Sequence, residues 1–340
     1  MKCILVFVVV ALVQVAAFSQ SKYHPIPLPA AIASVDEEFS GITIYQNRLY
    51  LLPQYGSNKE TKLEEDFFIY SIKTDSINRV LLHKDSELTA FKSISVKNLN
   101  LLPNSIKKSY QGFEAITIVN NQVFMAIETE DSSDYCYILK GTFNIAKTEL
   151  VIDAAHFITL PRYPYIENAG FESLTWLPKE KKLLAVYEFN AIKGGGTGYL
   201  LDASFKTKPV AVKTPYAYFR ITDIASNATD KIYAVNYHWN GDYKQYLSNE
   251  LLRNAEVSIA AFTPALKDSL LENVDYLKHN GFAEIISLRN RKSTNWKHVA
   301  TFPPKNNNWE GITLFKKGAL IITDANRSKK QACILAFMEF

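Results

Sequence analysis

Short apolar runs, each closed by a polar residue, recur along this chain at one spacing. Each unit opens on an aromatic or apolar residue, then a polar residue, then a small or apolar pair. The five openings are Phe39-Ser40-Gly41-Ile42-Thr43, Phe113-Glu114-Ala115-Ile116-Thr117, Phe171-Glu172-Ser173-Leu174-Thr175, the more divergent Thr222-Asp223-Ile224-Ala225, and Trp309-Glu310-Gly311-Ile312-Thr313. A turn and a second apolar run follow each, ending at Gln54, Glu128, Glu188, Asn236 and Asp324. The two polar positions of a unit are 14, 14, 16, 13 and 14 residues apart, a register that chance would not hold. A third apolar run follows most pairs and a fourth, less regular one precedes the next unit. Four antiparallel strands per unit, repeated radially, predict an all-β chain folded as a β-propeller.

Five blades are expected, with six as the alternative because 73–110 and 237–282 are long enough to hide one. The last unit lacks a fourth strand, and Tyr23 to Leu28 can supply it, closing the ring and hiding both edges. Leu247, Leu251, Leu252, Ala255 and Ile259, then Leu266, Leu270, Val274 and Leu277, fall at helical spacing. They predict a helical insertion at about 243–280.

The first two strands of a blade are antiparallel neighbours, so the start of one and the end of the next share one mouth of the channel. Glu114 with Glu128, Glu172 with Glu188, Asp223 with Asn236, and Glu310 with Asp324 are expected there, with Ser40, Gln54 and Glu38 beside them. Carboxylates at such density cannot all ionise unpaired. A cation sits among them, or Lys and Arg reach in, or their pKa values are raised; an all-oxygen ligand set favours Ca2+ over zinc. Against this stands the plain reading that polar residues at repeat positions cap strand ends. Lys193, Lys244 and Arg327 fall on loops leaving this mouth and are candidate substrate-binding cations. His238 and Glu310 are the candidate catalytic residues, His238 because it lies two residues beyond Asn236. No Gly-x-Ser-x-Gly elbow occurs.

The chain has 340 residues and a formal net charge of only +4, which speaks against a nucleic-acid partner. Lys2, the apolar run Ile4 to Ala17 and the small residues around Ala17-Phe18-Ser19 predict a signal peptide over 1–19, with a single exported domain over 20–340, periplasmic or secreted. No later run would span a membrane, and a monomer is expected. Cys136 and Cys333 lie in strand-like runs and are expected as separate buried thiols.

The openings Gly170-Phe171-Glu172-Ser173-Leu174-Thr175, Ile221-Thr222-Asp223-Ile224 and Asn308-Trp309-Glu310-Gly311-Ile312-Thr313, with the ending Ile322-Thr323-Asp324-Ala325-Asn326, resemble the phytase-like propellers (the "esterase-like activity of phytase" family). More distantly, the blade count resembles the calcium-activated nucleotidases, or apyrases. These resemblances imply an exported propeller with an acidic, calcium-binding centre that hydrolyses phosphate or carboxyl esters of a small anionic substrate. The alternative is a non-catalytic propeller binding a ligand or protein at the same mouth.

Overall fold

The computed structural model describes residues 22–34, 37–56, 63, 66–144, 146–163, 168–191, 195–242, 279–303, 307–325 and 333–340. The expected leader and nearly all of the expected helical insertion lie outside these residues.

Two-residue hairpins set the repeat. Asn47 and Asn121 follow Gln46 and Asn120, and all four have positive φ (46° to 63°), the mirror-image turn whose twist matches antiparallel strands. Blade one is β2 (Phe39–Tyr45), β3 (Arg48–Pro53), β4 (Phe67–Lys73) and β5 (Lys92–Lys97). Blade two is β6 (Tyr110–Val119), β7 (Gln122–Thr129), β8 (Tyr135–Asn144) and β9 (Glu149–Pro161). Blade three is β10 (Ser173–Leu177), β11 (Lys182–Val186), β12 (Gly196–Leu201) and β13 (Val210–Thr214). Blade four is β14 (Arg220–Ser226), β15 (Ile232–His238), β16 (Phe282–Leu288) and β17 (Lys297–Thr301). Blade five is β18 (Asn308–Phe315), β19 (Gly318–Asp324) and β20 (Leu335–Glu339), completed by β1 (Lys22–Ile26).

The N-terminal strand pairs with β20 from Lys22↔Glu339 to Ile26↔Leu335, so the termini close the ring. The interval 73–110 holds α1 (Thr74–Leu81), β5 and α2 (Asn104–Ser109) rather than a sixth blade. One feature departs from five separate sheets. The outer strands β5 and β9 pair in parallel (Ser95↔Glu149 to Lys97↔Val151), at the start of the 13-residue β9, whose same residues also pair with β8.

The core lies between blades. Clusters of buried side chains bridge neighbouring blades, as with Phe113 against Phe67 and Phe124 against Phe205. Each first strand packs against the next around the axis. Ile42, Ile116, Leu174, Ile224 and Ile312, one per blade and none more than 3% exposed, lie midway along the channel. The cavities on either side of them share no lining residue. Cys136 and Cys333 are buried free thiols. Among the described residues no helix is long and apolar enough to cross a membrane.

Trp309 is 2% exposed, stacks on Phe302 at 4.4 Å and meets the edge of Tyr23 at 6.1 Å. It therefore joins blades four and five to the closing strand. Trp309→Ala is expected to cost about 3–5 kcal/mol of unfolding free energy, read from the midpoint of denaturant unfolding at unchanged slope.

Candidate functional site

The first strand of a blade must turn its opening side chain toward the axis, and it does so through a bulge. The pairing skips one residue between Phe39 and Gly41, Phe113 and Ala115, Ile221 and Asp223, and Trp309 and Gly311. The skipped residues are Ser40, Glu114, Thr222 and Glu310; in blade three Glu172 sits just ahead of β10. An unpaired extra residue re-aims its side chain. Where it carries a hydroxyl, it stitches blades together: Ser40 Oγ donates to the carbonyl of Phe113, and Thr222 Oγ1 to that of Trp309 at 2.7 Å. Where it is a glutamate, it faces a cavity.

That cavity, about 320 Å³, fills the mouth at the bulged ends of the first strands. Glu114, Glu128, Glu172, Glu188, Glu310 and Asp324 all line it, together with Glu38, Ser40 and Gln54. The structure adds residues that the repeat did not single out: Tyr55, Asn168, Arg220, Tyr237, Trp239, Asp242 and Asn308. Tyr55 and Trp239 lie within two residues of second-strand ends, a position from which a signal could have been taken. Arg220 and Asp242 meet only through the tertiary fold.

Blade four corrects the expected register by one residue. Ile221 pairs with Asn236 and Asp223 with Val235, so Thr222 and Tyr237 hold the places that Glu310 and Asp324 hold in blade five. A one-residue shift turns every side chain to the other face. Asp223 accordingly points between blades and not into the cavity. Its carboxylate accepts the amides of Ile224 at 2.8 Å and Ile312 at 2.9 Å, and a backbone bond at Leu174. Burial pushes its pKa up and these amides oppose the shift. Asn236 likewise ties down the chain, donating to the carbonyls of Phe219 and Arg220 at 2.8 and 3.1 Å. His238, 1% exposed, stacks on Phe219 at 4.7 Å and lies outside the cavity lining, since it follows Tyr237 on the opposite strand face. Lys193, Lys244 and Arg327 lie outside the described residues.

The carboxylates are not equivalent. Arg220 Nη1 donates to Glu188 Oε2 at 2.6 Å and to the carbonyl of Asn168 at 2.7 Å, while its Nε donates to Asp242 Oδ2 at 2.6 Å. Burial pushes Glu188 up, and Arg220 together with a hydrogen bond from Glu172 pulls it back. Glu172 is driven well above the usual carboxylate range by burial and then by the charge of Glu188. Glu114 and Glu310 are raised as far, first by burial and then by Glu128 and Asp324 respectively; a bond from Gln54 Nε2 at 2.7 Å opposes the shift in Glu114. Glu128, 3% exposed, is pushed up to about 7 by burial and the charge of Glu188, against the pull of Arg220 and Arg162. The expected calcium finds no matching ligand set: among the described residues no three Asp, Glu, His or Cys side chains are grouped so as to hold a metal ion.

No protein-family pattern matches the chain, and no curated protein matches it in sequence. Solved structures do match in fold. One is a GH43 β-xylosidase/α-arabinofuranosidase from a compost microbial metagenome, in complex with xylotriose and described as a calcium-free form. It is 8% identical with a TM-score of 0.52, over 94% of each chain. Another is a GH43_1 enzyme from Xanthomonas citri complexed with xylotriose, 9% identical with a TM-score of 0.51, over 92% of this chain and 89% of that one. These GH43 neighbours are five-bladed propellers, as this chain is. They overturn the resemblance to phytase-like propellers and apyrases, and with it the expectation of a phosphoester or ester hydrolase.

Glu128 yields a pH prediction. Between its ordinary value of 4.5 and about 7, the folded chain keeps a proton that the unfolded chain has released. Stability from this group is therefore complete below the lower value and is lost as pH rises through the upper one, with a slope of at most about 1.4 kcal/mol per pH unit. Unfolding midpoints are expected to fall from pH 5 to pH 8, and Glu128→Gln to flatten that fall.

Proposed function

We propose that the acidic mouth is a carbohydrate site that hydrolyses a glycosidic bond, with Glu310 as general acid and Glu188 as general base. One observation carries this reading: two carboxylates facing a single cavity have different partners, Glu188 a guanidinium and Glu310 a neighbouring acid. Glu188 receives hydrogen bonds from Arg220 and Glu172, which favour its anion. Burial, then the charge of Asp324, pushes Glu310 well above the usual carboxylate range. Hydrolysis of an acetal needs such a pair, one to protonate the departing oxygen and one to activate water.

In the reaction, the water oxygen forms its bond to the anomeric carbon while the bond from that carbon to the glycosidic oxygen breaks. Glu310 gives its proton to the departing oxygen, and Glu188 takes one from the water. Tyr55, Tyr237 and Trp239 offer aromatic surface to the C–H face of a sugar ring. The two fold neighbours, described as GH43 enzymes with xylotriose bound, support the substrate class. A phosphate ester suits the cavity poorly, because the carboxylates repel it and Arg220 is already engaged by Glu188 and Asp242.

A panel of oligosaccharides tests the reading through release of reducing ends. Wild-type protein is expected to cleave at least one. Glu188→Gln and Glu310→Gln are each expected to lower kcat by about 10²–10⁴-fold with little change in melting temperature. Failure of the wild type to cleave any glycan between about pH 4 and 8 would remove hydrolysis from the reading.

A further inference from the structure

Residues 239–242 form a small unit beside the cavity that neither the repeat nor the acid–base pair explains. They leave β15 and make one helical turn, Asn240–Asp242, closed by the amide of Asp242 on the carbonyl of Trp239 at 3.0 Å. The turn is anchored at its far end. Asp242, 4% exposed, accepts a hydrogen bond from Arg220 Nε at 2.6 Å, and the same guanidinium holds Glu188. The place of the turn is therefore tied to that of the proposed base.

Trp239 stands on this unit. It lines the cavity and is half exposed, whereas Tyr237, two residues earlier, lines the same cavity at 4% exposure. The indole thus marks the rim and the phenol the interior. Its pose depends on Gly241. A Cβ there would come within 2.3 Å of Cη2 and Cζ3 of the indole, so the ring lies against the turn only because that residue has no side chain. The ring is backed by the turn, and half of the residue's surface stays in solvent. An apolar ring held in place at the edge of a polar cavity is a prepared surface, with little freedom left to lose on binding.

At about 320 Å³ the cavity is at the small end of ligand pockets, so a sugar chain that fills it continues past the rim. The next ring of that chain meets Trp239. Pyranoses with equatorial hydroxyls carry axial C–H bonds on both faces, and such a face packs on an indole by burial of apolar surface and attraction to the π system. We infer that Trp239 is the platform for a second sugar unit outside the cavity, and that Gly241 positions it, so that the site selects its ligands by chain length. This rests on the carbohydrate reading above and narrows the substrate to chains of at least two equatorially substituted pyranose units.

Calorimetric titration of the whole protein carrying Glu310→Gln, so that no chain is cut, with xylose, xylobiose, glucose and cellobiose tests the inference. Each disaccharide is expected to bind about three- to tenfold tighter than its monosaccharide, the increment of one aromatic contact. Trp239→Ala should remove that ratio, and the conservative Trp239→Phe should keep most of it. Gly241→Ala, at an exposed position, should lower the ratio although the indole itself is intact, with the melting temperature unchanged. A ratio near one in the parent protein, a ratio that survives Trp239→Ala or Gly241→Ala, or no binding of any of these sugars overturns the inference. Sugar binding without the ratio would leave the carbohydrate reading standing. A Trp239-dependent ratio in a protein whose wild type cuts no glycan would leave the inference standing and remove hydrolysis.

Discussion

Five strands can meet around one axis only if the backbone of each passes close to the next. A Cβ on Gly41 would lie 3.1 Å from the amide nitrogen of Ile116, and one on Gly311 would lie 3.1 Å from that of Ile42. This approach favours a small residue at that position, held by Gly41, Ala115, Ser173 and Gly311; blade four has Asp223 there. The bulge and the small residue act together. One brings the inner strands into contact, and the other turns the preceding side chain to the mouth. Burial of the cavity carboxylates follows from that geometry, because they sit where five backbones crowd out water.

That crowding sets the chemistry. A carboxylate removed from water keeps its proton unless a specific donor stabilises the anion. Glu188 has such donors in Arg220 and Glu172, whereas the causes that shift Glu310 are dominated by burial and a neighbouring acid. The contrast that could run acid–base catalysis thus comes from one guanidinium placed unevenly in a nearly symmetric ring. Arg220 is itself fixed at 8% side-chain exposure by Glu188, Asp242 and the carbonyl of Asn168, so its charge is held against Glu188 and Asp242.

The repeat was legible because the ring demands it. Repeated short apolar runs and evenly spaced polar positions read out the five blades, their closure by the N-terminus, and the mouth positions Glu114, Glu128, Glu172, Glu188, Glu310 and Asp324. Blade four was misread by one residue because Ile221 stands where other blades have an aromatic, which made Thr222 look like the opening residue. Asp223 then drew attention as an acid, although it occupies the small-residue position and uses its carboxylate to bond neighbouring blades. The Arg220–Asp242 pair left no trace in the spacing, since Arg220 opens β14 and Asp242 follows β15, and only the folded blade brings them together. The family resemblance failed for a related reason: blade openings report what any such ring needs at its axis, and the chemistry lies in residues around them.

The same shift of register explains why the mouth is lopsided. With Thr222 and Tyr237 at the ring positions, blade four contributes a hydroxyl that stitches and a phenol ring, and blade one contributes Ser40 and Gln54. The ring acids therefore come only from blades two, three and five. Tyr237 and Trp239 of blade four, with Tyr55 of blade one, supply the aromatic surface. A ring of identical acids would bind cations without direction. An acidic arc with aromatic surface beside it and one guanidinium at its edge gives a bound ring a face and an orientation, and from this asymmetry Glu188 and Glu310 draw different roles.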